Sequence, residues 1–147
     1  MRLQRCASYV LVAGLALALA PDQEAAAQRQ DDRKPSLSFK ADPPVGFTPL
    51  KVRVTVEVRG GANDSVDFYC PTIEWEWGDG LKSESSEDCS PYEAGKSEIR
   101  RRYSTEHTYR EAGQFSARFR MKQGSKVVAS SSTNINVRGG IRDDGDF

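Results

Sequence analysis

The sequence of 147 residues contains one histidine, His107, and this is the side chain best suited to act as a general base near neutral pH. Asp79 and Glu106 are the carboxylates that could orient its imidazole ring, as the acid of a catalytic triad does. No G-x-S-x-G segment supplies the nucleophile that such a pair would activate. We therefore interpret His107 as a structural residue and expect a protein that is not an enzyme.

The cysteines point to a covalent cross-link. The chain has Cys6, Cys70 and Cys89, and Cys6 falls within a segment that the N-terminal pattern marks for removal. The two that remain form an even pair, which in an oxidising compartment favours a disulfide between Cys70 and Cys89. A two-cysteine metal site is the alternative, but His107 is the one histidine that could complete it. We expect no metal and no cofactor.

Acidic residues offer two further kinds of chemistry. Glu74 and Glu76 are spaced for a carboxylate pair, but a glycosidase needs its two carboxyl groups facing each other across a cleft, and these alternate along a predicted strand. Residues 143–146 (DDGD), or the vicinity of Asp64 and Asp67, leave weak calcium binding as an alternative. The segment at 143–146 lacks the spaced ligands and the terminal glutamate of an EF-hand loop.

The N-terminus predicts export. Arg2 and Arg5 precede an apolar run at residues 7–20, and the small residues 25–27 (AAA) fit a signal-peptidase site. We therefore predict a signal peptide at 1–27, a disordered arm at 28–36, a folded domain at 37–137 and a flexible acidic tail at 138–147. The protein is expected to be secreted or to lie in the periplasm or cell envelope, with no membrane span after signal cleavage.

The charge balance bears on the partner. Lys and Arg total 21, Asp and Glu total 21, and the formal net charge is zero. Proteins that bind nucleic acid need an excess of basic side chains on one face, so a nucleic-acid partner is not expected.

Alternation of apolar and polar residues predicts strands. Residues 50–58 place Leu50 and four valines at every second position, and residues 72–77 and 114–122 alternate in the same way. Shorter or weaker strands are predicted at 37–40 and 126–137. Several strands separated by turns indicate an all-β, antiparallel β-sandwich.

Asp79-Gly80 is a strong signal for a two-residue hairpin turn. With these residues as the turn, Trp77 pairs with Lys82, Trp75 pairs with Glu84, and Cys70 lies opposite Cys89. A bulge near Pro71 would shift this register by one residue.

Two segments, taken in order, resemble the PKD (polycystic kidney disease) domain. Residues 75–80 (WEWGDG) are similar to the family's W-x-F-G-D-G, and residues 107–109 (HTY), followed by 113–115 (GQF), are similar to its H-x-Y and G-x-Y motifs. The segment between Gly80 and His107 is longer than the family usually carries. The resemblance implies an immunoglobulin-like sandwich in which the motif residues specify the fold: Trp75, Trp77, Gly78, Asp79, Gly80, His107, Tyr109 and Gly113.

The function expected from this resemblance is contact rather than catalysis. We predict a non-catalytic module that mediates protein–protein contact or acts as a structural spacer, with carbohydrate binding as the alternative. Tyr69, Tyr92 and Tyr103 lie in or near the long segment, and we predict that they are exposed aromatic residues on a partner surface. The partner is a protein or a polysaccharide, and the sequence does not predict the oligomeric state.

Overall fold

The computed structural model describes residues 34–140. The predicted signal peptide (1–27) lies outside the described residues, as do residues 28–33 of the predicted arm and 141–147 of the predicted tail. None of the helical structure within 34–140 is long and apolar enough to cross a membrane. The elements are β1 (Ser36–Asp42), β2 (Val45–Phe47), β3 (Leu50–Arg59), a 3-10 helix (Val66–Phe68), β4 (Thr72–Glu76), β5 (Lys82–Ser85), β6 (Arg102–Tyr109), β7 (Gly113–Gln123) and β8 (Lys126–Arg138).

The strands form two sheets. One has the order β1-β3-β6 and the other the order β2-β8-β7-β4-β5. All pairs are antiparallel except β2 with β8, which run parallel over three residues. The predicted fold class is thus confirmed: the chain is an all-β, immunoglobulin-like sandwich, antiparallel apart from one short pair, with one disulfide.

The core lies between the two sheets, as the alternation predicts. Val52, Val54 and Val56 of β3 are fully buried, whereas Lys51 and Arg53 between them are exposed. The facing sheet contributes aromatic residues: the ring centroids of Trp75 and Phe119 are 4.7 Å apart in an edge-to-face arrangement. Each such buried side chain stabilises the fold by about 1.5–3 kcal/mol relative to exposure. The buried apolar residues are Leu50, Val52, Val54, Val56, Val58, Phe68, Ile73, Trp75, Trp77, Ile99, Tyr103, Tyr109, Ala117, Phe119, Met121, Ile135 and Val137.

The β4–β5 hairpin corrects the predicted register. Trp75 pairs with Ser83, and the Trp77 N–H donates to the Leu81 carbonyl at 3.0 Å. The predicted pairs of Trp77 with Lys82 and of Trp75 with Glu84 are therefore wrong by one residue. The reason is a loop of three residues, 78–80, in which glycines with positive φ stand on both sides of Asp79.

Two strands were not predicted. β2 has three residues next to Pro43 and Pro44, which is too short for alternation to show. β6 alternates, but two of its inward positions are Thr105 and His107 rather than aliphatic residues, so its apolar signal is weak. The sandwich also begins slightly earlier than predicted, because Pro35 is buried and Ser36 already belongs to β1.

Candidate functional site

The disulfide between Cys70 and Cys89 is formed, as predicted, with Cα atoms 6.1 Å apart. It does not continue the β4–β5 ladder, whose last pair is Ile73 with Ser85. Cys70 has a φ of 47°, in the left-handed region that residues other than glycine rarely adopt. The left-handed backbone at Cys70 sets this residue out of line with β4, which begins at Thr72. The disulfide therefore joins two loops rather than two paired strands.

The second of these loops is the insert, which we define as residues 86–101, between β5 and β6. Most of its residues are exposed, but Ile99 is buried and its N–H donates to the Asn63 carbonyl at 2.8 Å. The Gly95 N–H donates to the Asp64 carboxylate at 3.2 Å, and the Tyr92 hydroxyl donates to the Asp64 carbonyl at 2.7 Å. One side of the insert is thus fixed to the β3–β4 connection, and the other side faces solvent.

Arg101 is the strongest of these anchors, and the sequence reading did not single it out. Its guanidinium donates to the Gly60 carbonyl at 2.7 Å, the Gly61 carbonyl at 3.1 Å and the Asn63 side-chain oxygen at 2.6 Å. A planar guanidinium with five donors suits a loop whose carbonyl oxygens have no strand partner. The signal in the sequence was the run of three arginines at 100–102, but the run does not indicate which of them turns inward.

Tyr69 and Tyr92 lie together, as neighbours of the insert. Their ring centroids are 5.5 Å apart in an edge-to-face arrangement, and both residues are half-buried. The Tyr69 hydroxyl donates to the Ser90 carbonyl at 2.9 Å. These two tyrosines therefore brace the insert against the body of the domain, and part of each remains at the surface.

The prediction that Tyr103 is exposed is wrong. Its relative exposure is 6%, because it points inward from β6 and its ring lies 5.6 Å from that of Phe119. The Arg100 guanidinium covers the ring at 5.0 Å from the centroid, within cation–π range. The buried Tyr103 hydroxyl has no hydrogen-bond partner among residues 34–140, and burial raises the pKa of this hydroxyl to about 12.

The other end of the sandwich holds the motif residues. Asp79 accepts a hydrogen bond from the Leu81 N–H at 3.0 Å and a second from His107 Nε2 at 2.6 Å. The side chains of His107 and Asp79 are 13% and 19% exposed, respectively. A carboxylate at the tip of the β4–β5 loop is thereby tied to β6 in the opposite sheet.

Trp77 and Tyr109 complete this network. The imidazole ring of His107 stacks on the Trp77 indole, with centroids 4.3 Å apart and planes 6° apart. The Tyr109 hydroxyl donates to the Trp77 carbonyl at 2.9 Å, and the Trp77 indole N–H donates to the Ser83 hydroxyl at 3.0 Å. Burial raises the pKa of Tyr109 far above its usual value, and the charge on Asp79 raises it further.

This arrangement explains what His107 does in the fold. The sequence offered two carboxylates that could orient the His107 ring. Asp79 is the one that bonds it, whereas Glu106 lies on the outer face and pairs with Lys51 and Arg53. The depression beside the pair has a volume of about 640 Å³ and is lined by Asp79, Leu81, His107, Thr108, Tyr109, Arg110, Glu111 and Phe115. The polar groups of the motif are used to hold its members to one another.

The glutamates of β4 are held as carboxylates. Glu74 accepts hydrogen bonds from Lys122 at 3.2 Å and Arg120 at 2.8 Å, and these bonds lower the pKa of Glu74. Glu76 accepts from Lys82 at 2.6 Å, which likewise lowers its pKa. A general acid needs a raised pKa, so these contacts make both groups poor proton donors at neutral pH. Within the described range, no group of three or more His, Cys, Asp or Glu side chains is placed to hold a metal ion.

Comparisons with known proteins bear on the fold. No family model matches the chain, and no curated protein matches it. Among solved structures, the chain is similar to the PKD domain of an M14-like peptidase from a Thermoplasmatales archaeon, at 14% identity over 70% of this chain and 94% of that one, with a TM-score of 0.48.

Two other solved structures are similar to the chain. One is a superoxide reductase (neelaredoxin) from Ignicoccus hospitalis, at 16% identity over 80% of this chain and 92% of that one, with a TM-score of 0.44. The other is a CARDB domain from Pyrococcus furiosus, solved in complex with di-metal ions, at 12% identity over 71% of this chain and 89% of that one, with a TM-score of 0.40. A PKD domain is thus among the similar structures, as the motifs predict, and the fold assignment itself rests on the two sheets described above.

Proposed function

We propose that this chain is an exported, non-catalytic, immunoglobulin-like (PKD-like) domain that binds a partner protein in the periplasm, in the cell envelope or outside the cell. The observation that carries the proposal is the insert, which is exposed on one side and fixed on the other by the Cys70–Cys89 disulfide and by hydrogen bonds to Asn63 and Asp64.

Fixing a loop before it meets its partner favours binding. A loop that is ordered only on binding loses conformational entropy at that moment, and a pre-organised loop avoids most of this loss. Binding residues are also concentrated on loops that a rigid scaffold positions. The insert has both properties, because its anchors, including the Gly95 N–H, hold its inner side while residues 94–96 remain exposed.

The disulfide and the N-terminal pattern support export. Disulfides persist in secreted and periplasmic proteins and are rare in reducing compartments. Residues 1–27 have the basic start, apolar run and small residues of a signal peptide. Cleavage of that segment, and the compartment in which the domain works, belong to the proposal.

The tyrosines favour a protein over a polysaccharide as the partner. Stacking on a sugar ring needs an exposed aromatic face, and Tyr103 is buried while Tyr69 and Tyr92 pack edge-to-face against each other. The burial of Tyr103 removes one of the three aromatic residues on which the carbohydrate alternative depended, which supports a protein partner.

Site-specific photocross-linking tests the proposal. The full chain, expressed in its native cells, carries a photoreactive residue in place of Ala94 at the exposed turn of the insert. We expect a cross-linked adduct with a partner protein of the envelope or the extracellular space. A matched chain with the same residue in place of Ser130, exposed on β8, serves as the control.

The outcomes distinguish a domain that binds a partner protein from one that acts as a structural spacer. Adducts formed from position 94 and not from position 130 support binding through the insert. Equal yields at both positions, or none at either, contradict it and favour a spacer. Retention of the chain in the cytoplasm with its N-terminus intact contradicts export.

A further inference from the structure

The strand β5 forms an open edge of the five-stranded sheet. It pairs with β4 on one side, and within residues 34–140 no strand pairs with its other side. All four of its residues are exposed, and so is Leu81 just before it. Side chains of β6 in the opposite sheet pack over β7 and the end of β4 instead: Tyr103 lies against Phe119, and His107 stacks on Trp77. An exposed edge strand is a template for pairing with another chain.

The hydrogen bonds between β4 and β5 show which backbone groups of β5 point outward. The Trp77 N–H donates to the Leu81 carbonyl at 3.0 Å, so this opposed pair is hydrogen-bonded, and so is every second pair along the ladder. Ser83 therefore bonds to β4, whereas the N–H and C=O groups of Lys82 and Glu84 point away from it. Within the described range, these outward groups have no partner in the protein.

The side chains of the same two residues carry opposite charges. Lys82 and Glu84 lie on the outer face of the sheet, where they are 62% and 57% exposed. Lys82 pairs with Glu76 at 2.6 Å. Glu84 lies directly opposite Glu74, another carboxylate, and Lys122 bridges the two at 3.4 and 3.2 Å. Like charges directly opposite each other are unfavourable, so a second cation beside Glu84 would be stabilising.

We propose that two copies of this chain associate through β5, as an antiparallel pair whose two-fold axis passes between the two Ser83 residues. In this register Lys82 of each copy lies opposite Glu84 of the other. Each of these pairs exchanges both of its backbone hydrogen bonds, because Lys82 and Glu84 are the residues whose backbone groups point outward. The two five-stranded sheets become one continuous sheet. This inference goes beyond the proposed function, since β5 lies outside the insert.

Charge selects this register over its neighbours. A shift by one residue would set outward backbone groups against inward ones and would place the paired side chains on opposite faces. A shift by two would place Lys82 opposite Lys82, or Glu84 opposite Glu84, and like charges directly opposite each other are destabilising. With the axis at Ser83, opposite charges face each other at both positions.

The inner side of β5 permits the close approach of a second copy. The residue at the axis is a serine, and its hydroxyl accepts a hydrogen bond from the Trp77 indole N–H at 3.0 Å within its own domain. The Cα atoms of an opposed pair that is not hydrogen-bonded are about 4.5 Å apart, which two serines accommodate. The same register brings Leu81, an apolar side chain that is 60% exposed, opposite Ser85 of the second copy. Association would therefore cover part of an exposed apolar surface.

Sedimentation equilibrium of the purified, oxidised chain, secreted from an export-competent host, tests the inference at concentrations up to about 1 mM. We expect a reversible equilibrium of monomer and dimer with no larger species, because a two-fold contact uses the β5 edge of both copies. Hydrogen exchange at the Lys82 and Glu84 amides should slow as the concentration rises. The Ser83 amide, which already bonds to β4, should change little.

Charge reversal tests the register. Lys82→Glu places glutamates opposite each other at both pairs, and Glu84→Lys places lysines there. Each variant alone should dimerise about tenfold more weakly or worse, because both pairs change from opposite to like charge. An equimolar mixture of the two variants restores opposite charges at both pairs, and it should form a heterodimer about as tightly as the unmodified chain dimerises.

Lys126→Glu is the matched control, because it makes the same change of charge at an exposed position on β8 and should leave dimerisation unchanged. Urea unfolding checks that each variant folds. If Lys82→Glu does not fold, Glu84→Lys is compared with Glu84→Gln. Dimerisation should weaken more with lysine at position 84, where like charges would oppose, than with glutamine, and equal weakening contradicts the register.

Three results overturn the inference. The first is a chain that remains monomeric at about 1 mM. The second is a dimer that neither charge reversal weakens, and the third is a mixture of variants that associates no more tightly than either alone. The measurement uses this chain alone, so its failure leaves the proposed function standing if cross-linking from position 94 captures a partner. If cross-linking fails while the dimer forms as expected, the β5 contact stands and binding through the insert does not.

Discussion

Gly78 and Gly80 stand on either side of Asp79, and the structure requires them for different reasons. Both have positive φ, 83° and 89°. A Cβ at Gly78 would lie 2.9 Å from the backbone nitrogen and oxygen of Ser116, whereas a Cβ at Gly80 would meet no atom within 4 Å. Gly80 therefore provides backbone freedom alone, and Gly78 provides both freedom and close approach of two strands.

Alanine at the two positions separates these effects. Gly80→Ala should lower the free energy of unfolding by about 1–2 kcal/mol, the cost of a left-handed conformation with a side chain. Gly78→Ala should cost clearly more, because β4 and β7 must also move apart. Urea unfolding of both variants measures the difference, and equal losses would show that contact with Ser116 is unimportant.

The tyrosines of β6 show what residue-level reading of the sequence could and could not predict. Tyr109 belongs to a recognisable H-x-Y motif whose residues were expected to specify the fold, and its ring is buried and its hydroxyl bonds the Trp77 carbonyl. Tyr103 follows three arginines, so its neighbours in sequence indicate solvent. Its burial depends on Phe119, from a strand far away in the chain, which local pattern does not bring next to it.

Among the elements, alternation predicted the strands that carry aliphatic residues on one face. β3 and β7 extend by at most two residues beyond the ranges predicted for them, and their inward residues are buried as expected apart from the half-buried Phe115. β6 was missed because threonine and histidine occupy inward positions, and the hairpin register was missed because loop length depends on φ at Gly78 and Gly80. The cysteine pairing was right although the ladder used to support it was shifted, since the disulfide lies beyond the ladder.

The outer face of the five-stranded sheet carries a charge ladder, which we define as Glu74 and Glu76 with Lys82, Arg118, Arg120 and Lys122. In the folded state the pKa of each glutamate is lowered, chiefly by hydrogen bonds from lysine and arginine. A lowered folded-state pKa adds stability above the pKa of the unfolded chain, and this stability is lost as the pH falls through the folded-state value. The pKa of Lys122 is raised, so its contribution is lost only at strongly alkaline pH.

We therefore expect the denaturation midpoint to fall between pH 5 and more acidic solutions, and to fall less in a Glu74→Gln/Glu76→Gln variant. Because the groups lie at the surface and are partly exposed, high salt should reduce the effect. Glu111→Gln is the matched control: Glu111 is exposed, and no ion pair is found for it within residues 34–140. If the denaturation midpoint of the Glu74→Gln/Glu76→Gln variant falls in acid as much as that of the unmodified protein, other groups cause the loss of stability.

At the scale of the whole molecule, the disulfide joins the insert to the sandwich over a sequence separation of 19 residues. Closing a loop of this size in the unfolded chain corresponds to about 3 kcal/mol. Reduction should therefore lower the free energy of unfolding by about that amount, measured by urea titration with and without reductant. It should also speed hydrogen exchange at Gly95 and Ile99, which hold the insert to the β3–β4 connection.

The double variant Cys70→Ser/Cys89→Ser is the control for that experiment. It should match the reduced protein in stability and show no response to reductant. If its insert amides exchange as slowly as those of the oxidised protein, the hydrogen bonds of Arg101 and Asp64 hold the insert without help from the cross-link.

The positions at which the chain enters and leaves the described domain also have a mechanical consequence. Ser36 pairs with Arg59 at one end of β3, whereas the Gly140 N–H bonds to the Thr48 side chain beside the other end. These two points are roughly 30 Å apart, at about 3.3 Å per residue of β3. Tension applied through them therefore runs along the strands. The parallel β2–β8 bonds are then loaded in shear and must break together rather than one at a time, so the domain should resist stretching between these two points.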